Sequence, residues 1–151
     1  MNKLIIIILL AFPIASYGQN IEVCPQFSLN KHNDERNVVE AFYKTHKDKY
    51  KSKVYIALND LNSDGKNEIL TYIDGVRFCG NKTGCYFNVF TTNGKKLVKY
   101  GIPTFFKVNK SSINNQSYLC VLKEKNNNWK NLLVSNQSVR YFNGKVYKGR
   151  K

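Results

Sequence analysis

The sequence predicts an α+β domain in which one N-terminal helix packs on a mostly antiparallel, meander-type β-sheet, with disulfide bonds joining its parts. Three observations predict this class. One amphipathic stretch with helical spacing lies near the N-terminus, short β-rich runs separated by turn residues fill the rest, and four cysteines are spread along the chain. No linker or change of composition divides the 151 residues, so we expect one domain.

The first residues predict a cleaved signal peptide. A lysine precedes the apolar residues 4–14, and Ser16 and Gly18 are small residues in front of a cleavage site. The apolar stretch is short for a membrane span. We therefore expect residues 1–18 to be removed and residues 19–151 to form a periplasmic or secreted domain without a transmembrane span. An uncleaved anchor is the alternative.

Residues 33–50 predict the helix. Asn33 or Asp34 can cap its start, and acidic side chains in the first turn complement the helix dipole. The side chains expected on its buried face are Val38, Val39, Phe42, Tyr43 and His46.

Short runs of β-branched and aromatic residues begin at Lys53. The predicted strands are KVYIAL, EILTYID, CYFNVFTT, KKLVKYG, TFFKVN, SYLCVLKE, WKNLLVS, VRYF and KVYK. Asn93–Gly94 and Asn143–Gly144 are strong hairpin signals. Several runs interleave aromatic with basic residues, a pattern that occurs in glycan and nucleic-acid binding. Half-buried strands show the same alternation, and we prefer that interpretation.

Four cysteines in an exported chain predict two disulfides, for which three pairings are possible. Cys79 and Cys85 lie six positions apart in CGNKTGC, so a local bridge between them is easy to close. This leaves Cys24 with Cys120, a long loop whose closure is worth roughly 4 kcal/mol in the chain-entropy model. Zinc binding is the rival explanation, but the sequence lacks the paired CxxC spacings or nearby histidines that zinc prefers.

The stretch NDLNSDGKNEIL, residues 59–70, predicts a calcium site between two strands. Calcium loops use side-chain oxygens at positions 1, 3 and 5, a backbone carbonyl at position 7 and a further ligand at position 9. The residues at these positions are Asp60, Asn62, Asp64, Lys66 (through its carbonyl) and Glu68.

This loop is not an EF-hand, because position 12 is Thr71 instead of a bidentate glutamate and the flanking residues predict strands. Calcium would have a structural role here. The alternative is that Asp60, Asn62 and Asp64 form Asx turns, with Gly65 at positive φ.

The residues DLNSDGKNEIL resemble the D-x-N-x-D-G-x-x-E loops of the FG-GAP, or integrin-propeller, type, which also lie between strands. A propeller needs several copies, and this chain has one, so the propeller fold does not carry over. The chain is also similar to small exported bacterial proteins in which one such loop precedes a CG…GC pair and a tail like WKNLLVS…VRYFNGKVY. That resemblance informs the expected architecture but not the function, because the function of these proteins is poorly defined.

No catalytic pattern is recognisable in the sequence. All four cysteines are expected in disulfides, no G-x-S-x-G elbow occurs, and the two histidines are not at metal-ligand spacing. We therefore expect no catalytic residues and a protein that is not an enzyme. A hydrolase with an unrecognised site is the alternative.

The formal charge of +14 predicts attraction to anionic partners, with a solvated basic surface as the alternative, and export argues against intracellular nucleic acid as a partner. We expect a binding protein, first of all an inhibitor or immunity protein against a cell-wall-degrading enzyme whose surface is acidic or bears a cleft. A bridge between Cys79 and Cys85 would pre-order the loop between them, which lowers the entropy lost on binding. The expected partner-binding residues are Gly80, Asn81, Lys82, Thr83 and Gly84. The alternative is a calcium-stabilised envelope or adhesion module that binds a cell-wall or other anionic polymer.

Overall fold

The computed structural model describes residues 20–45, 53–75, 79, 85–103, 119–134 and 138–149. The predicted signal peptide and the predicted partner-binding residues 80–84 lie outside these ranges. In chain order the described elements are β1 (Ile21–Val23), α1 (Asn33–Thr45), β2 (Lys53–Asn59), β3 (Glu68–Asp74), β4 (Tyr86–Phe90), β5 (Ile102–Pro103), β6 (Leu119–Asn126), β7 (Trp129–Val134), β8 (Ser138–Phe142) and β9 (Tyr147–Gly149).

The antiparallel sheets, one short helix and two disulfides of the described residues confirm the predicted α+β class. The strands do not form the single meander that we expected. They form a four-stranded sheet of order β2-β3-β4-β5 and a five-stranded sheet of order β1-β6-β7-β8-β9. Each sheet covers one apolar face of the other. In a single sheet with one helix, the helix would cover one face and the second face would remain exposed to solvent.

The main hydrophobic core lies between the two sheets. Side chains alternate between the faces of a strand, so every second residue points into this layer. The four-stranded sheet contributes Ala57, Leu70, Tyr72, Phe87 and Val89. The five-stranded sheet contributes Leu119, Val121, Leu132, Val134, Phe142 and Tyr147.

A second cluster lies on the other face of the four-stranded sheet and includes residues of α1. Val39 of the helix is fully buried there, together with the strand residues Ile56, Ile69 and Phe90. The ring of Phe42 meets that of Phe90 edge-on, with centroids 5.2 Å apart.

Strands β2 and β3 form a regular antiparallel hairpin, from Lys53 opposite Asp74 to Asn59 opposite Glu68. These bounds agree with the predicted runs KVYIAL and EILTYID. The predicted calcium loop therefore connects two strands, as its flanks indicated.

The run KKLVKYG does not form the strand that we predicted. Among the described residues it pairs only through single bridges, Phe90 with Lys96 in antiparallel and Val98 with Tyr147 in parallel orientation. The second bridge connects this segment to β9 of the other sheet. No helix among the described residues is long and apolar enough to cross a membrane.

Both predicted disulfides are present, Cys24–Cys120 and Cys79–Cys85, and no cysteine is free. Asp74 lies close to the second bridge, but sulfurs bonded to each other cannot serve as thiolate ligands, so this group is not a zinc site. Disulfides of this kind indicate an oxidising location outside the cytoplasm.

Candidate functional site

The loop between β2 and β3 is organised around the carboxylate of Asp60. Its Oδ1 accepts hydrogen bonds from the backbone N–H of Ser63 (2.6 Å) and Asp64 (3.2 Å), and its Oδ2 accepts one from Gly65 (3.0 Å). Positive φ values at Ser63 (63°) and Gly65 (82°) direct these N–H groups inward. Partial desolvation raises the pKa of Asp60, but the three hydrogen bonds, together with the positive charge of Lys130, outweigh it and hold the pKa below its ordinary value.

Asn62 and Asp64 continue this pattern. Asn62 Oδ1 accepts the N–H of Asp64 at 3.0 Å, and Asp64 Oδ1 accepts that of Lys66 at 2.8 Å. The side-chain amide of Asn62 also donates to Asp64 Oδ2 at 2.9 Å. The structure thus brings together the first three predicted ligands and places Lys66 directly after them.

Glu68, the last predicted ligand, is only 4% exposed. Its Oε2 accepts the backbone N–H of Leu61 at 2.8 Å. Burial, followed by the negative charges of Asp64 and Asp60, raises the pKa of Glu68 to about 7. The loop therefore joins a buried carboxyl to two carboxylates at the surface.

This geometry fits both sequence-based interpretations of the loop. The hydrogen bonds are those of Asx turns. Each carboxylate oxygen nevertheless has about two acceptor positions, so one that accepts a single N–H can still bind a hard cation. The residues that would hold calcium are Asp60, Asn62, Asp64, Glu68 and, through its carbonyl, Lys66. Calcium binding and the resemblance to FG-GAP loops stay predictions.

Contacts with the other sheet fix the position of this loop. Leu61 is fully buried in the core between the sheets. Its carbonyl accepts the backbone N–H of Lys130 in β7 at 2.7 Å, and Lys125 Nζ lies 2.9 Å from Ser63 Oγ. The loop is thus part of the junction between the sheets.

The Cys79–Cys85 bridge closes a covalent ring between β3 and β4. The N–H of Cys79 donates to the carbonyl of Gly75 at 2.9 Å, which attaches this ring to the end of β3. The predicted partner-binding residues 80–84 belong to the ring, but the structure does not describe them.

A cavity of about 330 Å³ lies beside β4. Tyr86 and Asn88 share the β4 face that also carries Phe90, because side chains of a strand alternate. The lining side chains belong to Tyr43 of α1, to these two β4 residues, and to Lys96, Lys99 and Tyr100 of the segment before β5. The volume is at the lower end of that of ordinary ligand pockets.

The cavity combines positive charge, aromatic surface and a buried amide. Asn88 is 2% exposed, and its Oδ1 has no hydrogen-bond partner. Burial lowers the pKa of Lys96, whose Nζ lies 5.7 Å from the centre of the Phe42 ring. Among the residues that the structure describes, no carboxylate forms an ion pair with Lys96, and the cavity lining contains none.

Gly101 completes the cavity wall, because its backbone packs closely against the side chain of Tyr86. A Cβ at this position would lie 2.7 Å from Tyr86 Cβ, so only glycine lets the segment before β5 pack against Tyr86. Tyr100 beside it is 75% exposed, and Lys99 Nζ lies 5.4 Å from the centre of its ring. These two residues form the rim.

Sequence reasoning missed the cavity. We interpreted YFNVF as a half-buried strand, and that interpretation explains Phe87 and Val89, which enter the core between the sheets. The signal in this run is Asn88, an amide among apolar residues on a strand. Comparison with known proteins finds no matching family model, no matching curated protein and no matching solved structure.

Proposed function

We propose that this chain is an exported, non-enzymatic binding protein that binds an anionic polymer of the cell envelope. The observation that carries this proposal is the cavity beside β4, where Lys96 and Lys99 lie among tyrosines without a lining carboxylate. Partial burial of the Lys96 ammonium is unfavourable without an anion beside it, so a bound anion would offset that cost. The net charge of +14 adds long-range attraction toward the same class of ligand.

The predicted calcium loop between β2 and β3 has a structural role in this proposal. It connects β2 to β3 of the four-stranded sheet and contacts the five-stranded sheet through Leu61 and Ser63, away from the residues that line the cavity. A bound calcium ion would stabilise the fold in the ion-rich space outside the cytoplasm and would take no part in a reaction.

A hydrolytic role for the loop is the less favoured alternative. A carboxyl with a pKa of about 7 beside carboxylates is the kind of pair that acid–base catalysis uses. Glu68 is buried, however, and one of its oxygens already accepts the N–H of Leu61. We therefore assign it a structural role.

Co-sedimentation with insoluble or cross-linked polymers tests the proposed function. We expect retention on peptidoglycan sacculi and on cross-linked polygalacturonate, and none on neutral cross-linked dextran. The double substitution Lys96→Gln and Lys99→Gln should lower retention at least tenfold, since each lost charge pair is worth roughly 1 kcal/mol. Lys145→Gln and Lys148→Gln, the same change of charge on exposed β8–β9 residues, form the matched control. Equal losses in both double variants would contradict a localised site.

An inhibitor or immunity protein against a cell-wall-degrading enzyme is the second candidate function. The Cys79–Cys85 ring favours it, because a covalently closed segment loses less entropy when it docks in a cleft. Lys82→Glu should then abolish inhibition of wall lysis by a co-purified hydrolase while the melting temperature stays within a degree or two. Capture of such an enzyme from periplasmic extract, with no retention on polymers, would favour this candidate over the first.

A further inference from the structure

The cavity beside β4 contains two polar groups that lack partners in the described protein. Asn88 Oδ1 is buried and accepts no hydrogen bond, which ordinarily destabilises the folded state. The Lys96 ammonium is half-buried, with aromatic contact but no counter-charge. The side chains of Asn88 and Lys96 line the same space of about 330 Å³, so a ligand in it lies next to both residues.

We propose that this cavity binds one acidic sugar residue, whose carboxylate pairs with the Lys96 ammonium and whose hydroxyl or amide N–H donates to Asn88 Oδ1. The proposal rests on the proposed function, since it names the unit of the anionic polymer that the site recognises. The acidic-sugar site is a separate claim, because surface lysines alone could bind a polymer without a binding site for one sugar residue.

The partners that the cavity offers determine the ligand chemistry. An amide oxygen accepts and does not donate, so the ligand group that it meets must carry an N–H or O–H. The half-buried ammonium of Lys96 suits a single negative charge. A phosphate dianion is matched best by the forked donors of arginine or by a row of backbone N–H groups, and the lining offers no arginine.

The aromatic walls favour a sugar ring over an extended chain. Tyr43, Tyr86 and Tyr100 give apolar ring surface with polar tips, and a sugar likewise combines an apolar C–H face with a polar edge. The volume of about 330 Å³ accommodates one ring, and the exposed Tyr100 leaves the rim open for the next residue of a polymer.

Titration calorimetry with the whole exported protein tests the proposal. The probes are glucuronate, with N-acetylmuramic acid as a carboxylate that also carries an amide N–H. Glucose is the neutral control and glucose 1-phosphate the phosphate control. We expect both carboxylates to bind, and glucose and glucose 1-phosphate to bind at least tenfold more weakly. Side-chain NMR should show the pKa of Lys96 rising when a carboxylate binds.

The substitution Asn88→Val distinguishes a ligand-binding role of Asn88 from a structural role. The substitution removes an unsatisfied buried group, so the melting temperature should rise by about 2–4 °C while affinity for glucuronate falls about tenfold or more. Asn131→Val is the matched control. Asn131 is equally buried, but its Oδ1 accepts from Asn126 at 2.7 Å, so this variant should melt at a lower temperature and bind normally.

Lys96→Met completes the set, with an expected loss of at least tenfold in glucuronate affinity and Lys145→Met as its control. Retention on polymers without binding of either carboxylate, unchanged affinity in Asn88→Val, or equal binding of glucose 1-phosphate would each overturn the acidic-sugar proposal and leave the proposed function standing. If the unmodified protein neither stays on the polymers nor binds either sugar, the acidic-sugar proposal and the proposed function are both overturned.

Discussion

Glu68 connects the surface loop to the interior of the protein. Its backbone ends the β2–β3 ladder opposite Asn59, and its carboxyl accepts the N–H of Leu61, whose side chain is in the core. Replacing this carboxyl by an amide keeps an acceptor for Leu61 and removes the charge. The substitution therefore isolates the electrostatic part of its role.

Glu68→Gln should change how stability depends on pH. The pKa is about 7 in the folded protein against 4.5 for the free side chain, so the folded state retains the proton longer. The destabilisation by this carboxylate is absent below pH 4.5, grows between these values and is complete above pH 7. Each unit of pKa corresponds to about 1.4 kcal/mol.

Urea unfolding with a chelator present, at several pH values from 4 to 8, measures this effect. The variant should be more stable than the unmodified protein at pH 8 and equal to it at pH 4. Glu124→Gln, at an exposed carboxyl of β6, is the control. A constant difference across this range would show that Glu68 is not charged unfavourably in the fold.

At the scale of elements, the β2–β3 hairpin and its loop could be predicted from local sequence. KVYIAL and EILTYID are short runs rich in β-branched and aromatic residues, as strands are, and the Asp/Asn/Gly spacing specifies the turn between them. The two asparagines of the β6–β7 turn, Asn127 (φ 49°) and Asn128 (φ 64°), have the left-handed conformation that a tight two-residue connection requires.

Other elements depend on partners far along the chain, which local patterns do not specify. β1 has three residues and β5 has two, and each is defined by the strand beside it. The division of the strands between two sheets has the same origin, because alternation shows which side chains are buried but not which strand is the neighbour. The cavity was missed for this reason too, since its residues come from α1, β4 and the segment before β5.

Calcium should stabilise the protein through the β2–β3 loop. A ligand that binds only the folded state, at a hundredfold excess over its Kd, adds about 2.7 kcal/mol to the free energy of unfolding. Asp60→Asn and Asp64→Asn each remove a charge from the loop, so the calcium response should largely disappear in both. Asp64→Asn keeps an oxygen for the N–H of Lys66, whereas Asp60→Asn replaces one of two accepting oxygens and should also lower the stability of the calcium-free protein.

Thermal melting with millimolar calcium or with a chelator measures this response. Magnesium, which demands a tighter octahedral geometry, should give a smaller shift and serves as the ion control. An identical melting curve in calcium and chelator would leave the loop as a set of Asx turns only.

At the scale of the whole molecule, the two disulfides constrain very different lengths of chain. Cys24–Cys120 joins residues 96 positions apart and attaches the N-terminal segment to β6, whereas Cys79–Cys85 spans 6 positions. In the chain-entropy model the stabilisation grows with the logarithm of loop length. The long bridge should therefore contribute more to stability than the short one.

Replacing Cys24 and Cys120 by alanine should lower the free energy of unfolding by about 4–5 kcal/mol, against about 2–3 kcal/mol for Cys79 and Cys85. Urea unfolding of the two double variants measures the difference, and non-reducing peptide mapping of the unmodified protein verifies the pairing. A larger loss in the short-bridge variant would show that this bridge holds native structure beyond its own ring.

The position of β1 at the edge of the five-stranded sheet also has a consequence for the order of folding. β2, β3 and β4 each pair with a strand that is next in the chain, so they can associate as soon as they are synthesised. β1 is made first, but its neighbour β6 follows about a hundred residues later. Distant pairings of this kind are slow to form. When refolding starts from the reduced chain, in which Cys24 and Cys120 do not yet hold β1 beside β6, we therefore expect hydrogen exchange to protect the β2–β4 amides early and those of β1 last.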